Sequence, residues 1–148
     1  RTQADLFSQV RGHDIGSVDT PVEAGLSFTC AWNKPGGFIG RAALIEAVPN
    51  RAPTRRLVQL VLTEPTEIAH HGEPIWRDDV RVGFSTSGAF GHTLGASVAL
   101  GYVTHPDGVT EDWVSSGRFS VQFGNRRAAA KAYMSAAAYD PKGVRMRA

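Results

Sequence analysis

Short blocks in which apolar residues cluster or alternate with polar ones run through most of this chain. Residues 56–62 (RLVQLVL) are rich in branched apolar side chains and precede Thr63 and Pro65, which indicates a strand. Residues 80–87 alternate apolar and small polar side chains, as a half-buried strand does. Further strands are predicted at 73–76, 97–103 and 119–123. The pattern therefore predicts a mostly β protein.

Turn-forming residues separate these strands at short intervals. Residues 77–79 (RDD) end one strand in a tight turn, and residues 87–95 (SGAFGHTLG) combine glycines with hydroxyl side chains. Residues 87–95 lack the Gly-Lys-Ser/Thr ending of a nucleotide loop, so a connection that uses positive φ angles is favoured over a phosphate cradle. Because no helical crossovers fit between the strands, we expect an antiparallel barrel or sandwich.

Helical signals are confined to two segments. Residues 38–47 form a predicted short helix, which ends before a linker candidate at 49–54 that has two prolines within five residues. Residues 126–138 (RRAAAKAYMSAAA) are alanine-rich, so propensity alone favours a helix there. The linker divides the chain into a first region, residues 1–50, and a second region, residues 51–148.

Composition places the chain among ordinary soluble globular proteins. Its 148 residues, 42% of them hydrophobic and 20% charged, suit one domain or one domain with a piece of another. The net charge is +2, and the cationic clusters, such as Arg51, Arg55 and Arg56, are short and scattered. This scatter favours solvated surface over a nucleic-acid interface, with a site for an anionic small molecule as the alternative.

Cysteine usage and apolar run length bear on the compartment. The single cysteine, Cys30, allows no intrachain disulfide and is interpreted as a buried, inert thiol within an apolar run. No apolar stretch is long enough to span a bilayer, and no signal segment opens the chain. We therefore expect a cytoplasmic protein without a membrane partner. Because the first residue is Arg1 rather than methionine, the chain is interpreted as a piece of a longer polypeptide.

Candidate catalytic chemistry is sparse in the residues themselves. Adjacent His70 and His71 on an extended segment point to opposite faces, so no metal site is predicted there. No serine lies in a Gly-x-Ser-x-Gly turn, and Cys30 lacks the surroundings of a nucleophile. The residues alone indicate a soluble, mostly β module of unknown function.

Three blocks of motifs follow one another in order along the chain. The first holds RGHDI at 11–15, TPVEAGL at 20–26 and FIGRAAL at 38–44, the second RLV at 56–58 and GEPI at 72–75, and the third Gly83, SG at 87–88, TLG at 93–95 and LGYV at 100–103. The tail YDPKGVRMR follows at 139–147. Together they resemble the glycine-cleavage T-protein superfamily, the folate-dependent one-carbon proteins that include the C-terminal halves of dimethylglycine and sarcosine dehydrogenases.

The resemblance implies a fold and a cofactor. Residues 1–50 are expected to be an α+β segment from the end of the folate-binding region, and residues 51–148 an antiparallel Greek-key barrel. On that basis residues 128–134 are expected to form a closing strand rather than a helix. The implied cofactor is tetrahydrofolate, with FAD only in an upstream domain of the parent polypeptide. The family's catalytic aspartate lies upstream of the first residue, so no catalytic residue is predicted in this chain.

The resemblance also implies residues that contact folate. Asp5 stands where the family has its pterin-binding glutamate, seven residues before Gly12, as a shorter carboxylate. Lys34 matches a basic residue that follows an expected strand at 26–29, and Arg41 is a second basic candidate, with a surface role as its alternative. Trp32 is a candidate to flank the ring, with packing as its alternative. Carboxylates accept paired hydrogen bonds from a pterin, aromatic rings sandwich it, and cations suit the glutamate tail.

The implied function is that of the C-terminal segment of a tetrahydrofolate-linked demethylating enzyme. It would belong to a flavoprotein of the dimethylglycine- or sarcosine-dehydrogenase kind, which passes a one-carbon unit to folate. The expected partners are folate and the remainder of the parent polypeptide, and the fragment alone is expected to be inactive. The alternatives are a stand-alone T-protein, which is an aminomethyltransferase, and a non-catalytic barrel that serves as a structural or interaction module.

Overall fold

Six strands close into an antiparallel barrel in the computed structural model, which describes residues 14–16, 18–47, 52–64, 67–134, 138–140 and 144–145. The strands are β1 (Arg55–Leu62), β2 (Pro74–Arg77), β3 (Val80–Gly91), β4 (Ala96–Thr104), β5 (Phe119–Phe123) and β6 (Arg126–Tyr133). Each predicted strand of the second region overlaps one of these. The prediction of a mostly β antiparallel barrel is therefore confirmed.

The strands follow the order β1-β4-β3-β2-β5-β6 around the barrel. β2, β3 and β4 are consecutive in the chain and adjacent in the sheet, whereas β1 pairs with β4 across a longer connection, which is a Greek-key arrangement. β6 closes the barrel by pairing with β1, so that Gln59 lies opposite Tyr133 and Leu62 lies opposite Ala130. Closure pairs the strands that would otherwise form sheet edges.

Alternate residues of each strand fill the barrel interior. On β1, the side chains of Val58, Leu60 and Leu62 point inward and are at most 1% exposed, while the residues between them are only half-buried. Ile75 of β2 and Val121 of β5 pack into the same core. Burying each of these side chains stabilises the fold by about 1.5–3 kcal/mol. The richness of residues 56–62 in branched apolar side chains is the signal that predicted this strand.

The alanine-rich segment forms strand β6, as the resemblance implied, and not the helix that propensity favours. Ala128 and Ala130 are buried, whereas Ala129 and Lys131 are exposed. This alternation places one face of β6 on the core. Pairing with β1 and β5 provides its backbone hydrogen bonds, so tertiary context overrides the local preference of alanine.

Two glycines on β3 stand where a neighbouring backbone approaches closely. A Cβ atom at Gly83 would lie 1.8 Å from the carbonyl oxygen of Tyr102, and a Cβ atom at Gly88 would lie 2.1 Å from the carbonyl oxygen of Ala69. Real side chains do not tolerate such distances. Both positions therefore require glycine for reasons of space.

The predicted loop at 87–95 is mostly strand. β3 continues to Gly91, and the turn to β4 is confined to residues 92–95. All nine residues are described, and among their glycines Gly95 alone has a positive φ, of 65°. The expectation of a strand connection with positive φ angles thus holds for the end of the segment only.

The segment before the barrel contains little regular structure. Residues Ser27–Thr29 form a single 3-10 turn, so the strand expected at 26–29 is wrong. Gly25, with a φ of 78°, bends the chain immediately before it, and the N–H of Leu26 bonds back to the carbonyl of Pro21 at 2.7 Å. Cys30 is half-buried rather than buried. Helix α1 (Arg41–Ala47) confirms a helix here, although it begins later than predicted.

A second helix, α2 (Glu111–Ser116), connects β4 to β5 and was not predicted. The side-chain oxygen of Thr110 accepts a hydrogen bond from the N–H of Trp113 at 3.1 Å, which caps the helix, and Glu111 and Asp112 suit the positive end of its dipole. With only six residues, the helix is too short to show a clear period. In the described part of the chain, no helix has the length and apolar character needed to cross a membrane.

Candidate functional site

The segment before the barrel is fastened to the start of β1. The N–H of Leu57 donates to the carbonyl of Glu23 at 2.8 Å, and the Arg56 guanidinium donates to a second carbonyl of the segment at 2.7 Å. Arg55 forms an ion pair with Asp19. The interpretation of Arg55 and Arg56 as solvated surface is therefore wrong, because both are half-buried against this segment.

Beside this junction, the outer face of β1, β3 and β4 carries a groove of about 550 Å³. The volume is in the range of small-molecule sites, which often lie where two structural units meet. The lining combines cations, hydroxyl groups and aromatic rings. The residues that carry this chemistry are Arg55, His71, Arg81, Phe84, Thr86 and Tyr102.

Two β-bulges on β3 shape the groove. Pairing with β2 steps from Gly83 to Arg81 and skips Val82, and pairing with β4 steps from Ser85 to Ser87 and skips the residue between them. A bulge shifts which side chains face the core, and bulges are common beside functional sites. In this part of β3 the side chains of Val82 and Ser85, three positions apart, are both buried. The side chain of Phe84 is exposed on the outer face.

Arg55 is stacked on one ring and paired with one carboxylate. Its guanidinium carbon lies 3.6 Å from the centre of the Tyr102 ring, in cation–π geometry. Burial raises the pKa of the Asp19 carboxyl, but hydrogen bonds from Arg55 and from the Gly16 N–H outweigh it, so that this pKa lies below its ordinary value. Asp19 is therefore ionised at neutral pH.

The Tyr102 hydroxyl is buried at the same place. Burial, followed by the negative charge of Asp19, raises the pKa of Tyr102 to about 12. Among the described residues, no group forms a hydrogen bond with this hydroxyl. The attraction between the hydroxyl and the Asp19 carboxylate nevertheless contributes to the lowered pKa of Asp19. The whole side chain is 6% exposed. The Tyr102 side chain is thus uncharged at neutral pH and lines the base of the groove.

The rest of the groove comes from β3 and from the residues that precede β2. The Thr86 hydroxyl donates to the Asp14 carboxylate, and the Thr86 carbonyl oxygen lies 3.1 Å from Nδ1 of His71. The Arg81 guanidinium carbon lies 5.1 Å from the centre of the Phe84 ring, and Phe84 is 47% exposed. This part of the groove presents a cation and an aromatic ring side by side.

Asp19 serves to hold Arg55 rather than to transfer a proton. A general base works best with a pKa near the working pH, whereas Arg55 keeps the Asp19 carboxylate ionised and hydrogen-bonded. Among the described residues, no group of three or more His, Cys, Asp or Glu side chains is placed to hold a metal ion.

Three of the residues implied by the family resemblance lie together in the segment before the barrel. The Trp32 indole N–H donates to a backbone carbonyl at 2.9 Å, and its ring meets the Phe38 ring edge-on with centroids 5.9 Å apart. Arg41 Nε donates to the Trp32 carbonyl at 3.4 Å, and Lys34 is exposed in the turn between them. These three residues do not line the groove, and Asp5 lies outside the described residues.

Residues 55–140 match the family described as the glycine cleavage T-protein C-terminal barrel domain. The match covers more than half of the chain and all six strands of the barrel. The chain belongs to this family. Its closed Greek-key barrel is thus a T-protein barrel, as the sequence resemblance implied.

Several known proteins are similar to this T-protein barrel chain. The 4-methylaminobutanoate oxidase (formaldehyde-forming) of Paenarthrobacter nicotinovorans is 42% identical over 92% of the chain, and the mitochondrial sarcosine dehydrogenase of Mus musculus is 33% identical over 90%. The aminomethyltransferase of Thermosynechococcus vestitus is 46% identical over 62% of the chain. The chain spans only 14% to 24% of the length of these three relatives.

A solved structure shares the fold of the T-protein barrel chain. The crystal structure of glycine cleavage system aminomethyltransferase T from Bartonella henselae aligns with a TM-score of 0.63 and 24% sequence identity. The alignment covers 84% of this chain and 33% of that protein. Because residues 55–133, which hold all six strands and the connections between them, are only about half of the chain, the likeness includes part of the segment before or after them.

Proposed function

We propose that the chain is the C-terminal part of a tetrahydrofolate-dependent, flavin-linked demethylating enzyme. In this proposal the parent polypeptide oxidises a methylated amine at an upstream FAD and passes the one-carbon unit to tetrahydrofolate. The division at about residue 50, between the end of a folate-binding region and the barrel, belongs to the same proposal. The cytoplasm remains the proposed compartment, since the single Cys30 allows no intrachain disulfide.

The extent of similarity is the observation that carries this proposal. The oxidase and the sarcosine dehydrogenase match 92% and 90% of the chain, whereas the aminomethyltransferase matches 62%. The part of the chain that is similar to the oxidase and the dehydrogenase is therefore much longer than the part that is similar to the aminomethyltransferase. This favours the flavin-linked branch over a stand-alone aminomethyltransferase.

Asp5, Lys34, Arg41 and Trp32 are the proposed folate contacts in this chain. The Asp5 carboxylate would accept paired hydrogen bonds from the pterin, and the exposed Lys34 ammonium would meet a folate carboxylate. The Arg41 side chain contacts the Trp32 backbone carbonyl, so Trp32, Lys34 and Arg41 lie in one compact part of the segment. Their clustering supports a shared role, although Trp32 also packs against Phe38.

The test uses the parent polypeptide and a methylated amine, with and without tetrahydrofolate. We expect flavin reduction by the amine, release of formaldehyde without tetrahydrofolate, and 5,10-methylenetetrahydrofolate in its place when tetrahydrofolate is present. Lys34→Ala and Asp5→Ala should weaken tetrahydrofolate binding in calorimetric titration and leave flavin reduction unchanged. Lys131→Ala, on the exposed face of β6, is the matched control and should change neither.

Each alternative has its own outcome in this test. A parent that transfers the one-carbon unit but contains no flavin would be a stand-alone aminomethyltransferase. A parent that binds no tetrahydrofolate would overturn the proposal and leave the barrel as a structural or interaction module. Tight folate binding that is indifferent to both alanine variants would keep the function and discard Asp5 and Lys34 as contacts.

A further inference from the structure

The segment before the barrel exposes large apolar side chains that the barrel does not cover. We propose that they are an interaction surface, and that the upstream part of the parent polypeptide packs on it with apolar side chains of its own. Phe28, Ile39 and Ile45 make up this segment surface. The identity of the occupant rests on the proposed function, in which the chain is the C-terminal part of a longer polypeptide.

The segment has almost no core of its own. Of the described residues between positions 14 and 47, Ala24 alone is buried. Fixing each residue costs conformational entropy, which the burial of apolar side chains normally offsets. Helix α1 has only seven residues and none of them is buried, whereas isolated helices of this length are marginal in water. The ordered segment therefore needs a partner that stabilises it.

The barrel fastens only the first part of the segment. Asp19, Val22 and Glu23 supply the groups that bond to the start of β1. In contrast, the hydrogen bonds that residues 27–47 form with other described residues remain within the segment itself. The barrel therefore positions the segment without covering the part that carries Phe28, Ile39 and Ile45.

The three side chains of the segment surface are unusually exposed for their size. Ile39 is fully exposed, Phe28 is 82% exposed, and Ile45 on helix α1 is 46% exposed. Single exposed apolar residues are common, but several on one segment that lacks a core indicate an interaction surface. Phe28 also borders a shallow pocket with Leu57 and Tyr133 of the barrel, so this surface continues onto the outside of the barrel.

The extent of the relatives identifies the occupant. The oxidase and the sarcosine dehydrogenase match at least 90% of the chain, so their similarity includes most of the segment. The chain nevertheless spans only 14% to 16% of these two proteins. A surface within the same polypeptide has a high effective concentration and can cover these side chains without the large contact area of an independent partner.

Hydrogen exchange measured by mass spectrometry tests the proposal on the parent polypeptide and on the 148-residue chain. We expect peptides from residues 27–45 to exchange about tenfold or more slowly in the parent, because burial of one large apolar side chain shifts an opening equilibrium by at least that factor. The Leu44 N–H, which bonds to the Gly40 carbonyl at 3.0 Å, reports on helix α1.

Ile39→Thr removes an apolar side chain and keeps the branch at Cβ. In the parent it should return the exchange of residues 27–45 toward the rate of the 148-residue chain, and Phe28→Ser should do the same. In the 148-residue chain Ile39→Thr should change nothing, because Ile39 is already in water. Val80→Thr is the matched control, since Val80 is 65% exposed on β3 of the barrel, and it should alter neither protein.

Three results would overturn the inference. The first is equal exchange of residues 27–45 in the parent and in the 148-residue chain, and the second is full protection in the Ile39→Thr and Phe28→Ser parents. The third is protection in the 148-residue chain that rises with its concentration, which would identify a second copy as the occupant. The one-carbon assay is independent of these results. Protection in a parent that binds no tetrahydrofolate would keep the inference and remove the proposed function, whereas one-carbon transfer without protection would do the reverse.

Discussion

The guanidinium of Arg55 lies over the ring of Tyr102, 3.6 Å from its centre. The same guanidinium pairs with Asp19, a residue of the segment before the barrel. One side chain of β1 thus joins this segment to β4 and forms a wall of the groove. Changes at this junction should therefore alter both the stability of the chain and the shape of the groove.

Asp19→Asn should destabilise the chain by about 1–2 kcal/mol at pH 7, because it removes the charge from a hydrogen bond to a half-exposed arginine. The pKa of Asp19 is lowered in the folded state, so its contribution is fully present above the ordinary value of 3.8 and is lost as the pH falls below it. Urea unfolding at pH 7 and at acid pH measures the difference, which should shrink toward zero in acid.

Asp79→Asn is the control for this change. Asp79 also pairs with an arginine, Arg127, but its side chain is 84% exposed, so the substitution should alter the free energy of unfolding by less than about 0.5 kcal/mol. A loss at Asp19 that does not depend on pH would show that its packing, rather than its charge, supports the junction.

Tyr102 should lose its proton only in strongly alkaline solution. Its pKa is raised from 10.0 to about 12, so the tyrosinate absorbance of the folded chain should show one late step, which Tyr102→Phe removes. Because the folded state holds the proton more tightly, this stabilising contribution is present below pH 10 and is lost as the pH rises toward 12. Asp19→Asn should shift the late step to lower pH, since the Asp19 charge is one of its causes. Deprotonation of Tyr102 near pH 10 in the folded chain would contradict the burial of Tyr102.

The strands were predictable because their signals are local. Residues 56–62 are rich in branched apolar side chains, which indicates a strand, and Val58, Leu60 and Leu62 take its core-facing positions. Strand β6 was the opposite case, because only its pairing with β1 and β5 distinguishes the buried Ala128 and Ala130 from helical alanines. The family resemblance provided the information that the propensity lacked.

The groove was not predictable from the same patterns. The alternation of residues 80–87 would place Val82 and Phe84 on one face, but the bulge at Val82 buries the first and exposes the second. A bulge depends on how two distant strands pair, so the sequence of β3 alone does not reveal it. Arg55 and Asp19 lie thirty-six positions apart, and no local spacing links them.

Gly83→Ala should disrupt the pairing of β3 with β4. The new methyl group would meet the Tyr102 carbonyl oxygen, and the strands would have to separate, at a cost of about 1–3 kcal/mol or more. Thermal unfolding measures this cost. Ala89→Ser, an exposed position on the same strand, is the control and should leave the unfolding temperature nearly unchanged. A Gly83→Ala variant as stable as the unmodified chain would contradict the close approach of the two backbones.

Arg56→Gln should loosen the segment before the barrel without unfolding the barrel. The Arg56 guanidinium donates to the Val22 carbonyl at 2.7 Å, and burial lowers the pKa of this arginine, although arginine stays charged. Its buried Nε has no hydrogen-bond partner among the described residues, so the bond to the Val22 carbonyl is the hydrogen bond that the variant loses. The loss should therefore fall on the segment that Arg56 holds.

Hydrogen exchange distinguishes this local effect from a global one. In Arg56→Gln we expect faster exchange of the Leu57 amide, which bonds to the Glu23 carbonyl, and of the Leu26 amide, which bonds to the Pro21 carbonyl. Amides in the pairing of β5 with β6 should exchange as before. Arg118→Gln, whose side chain is 86% exposed, should change neither set. Faster exchange throughout the barrel would mean that Arg56 supports the whole fold, and unchanged exchange at both leucines would mean that Arg55 and Asp19 are sufficient to hold the segment.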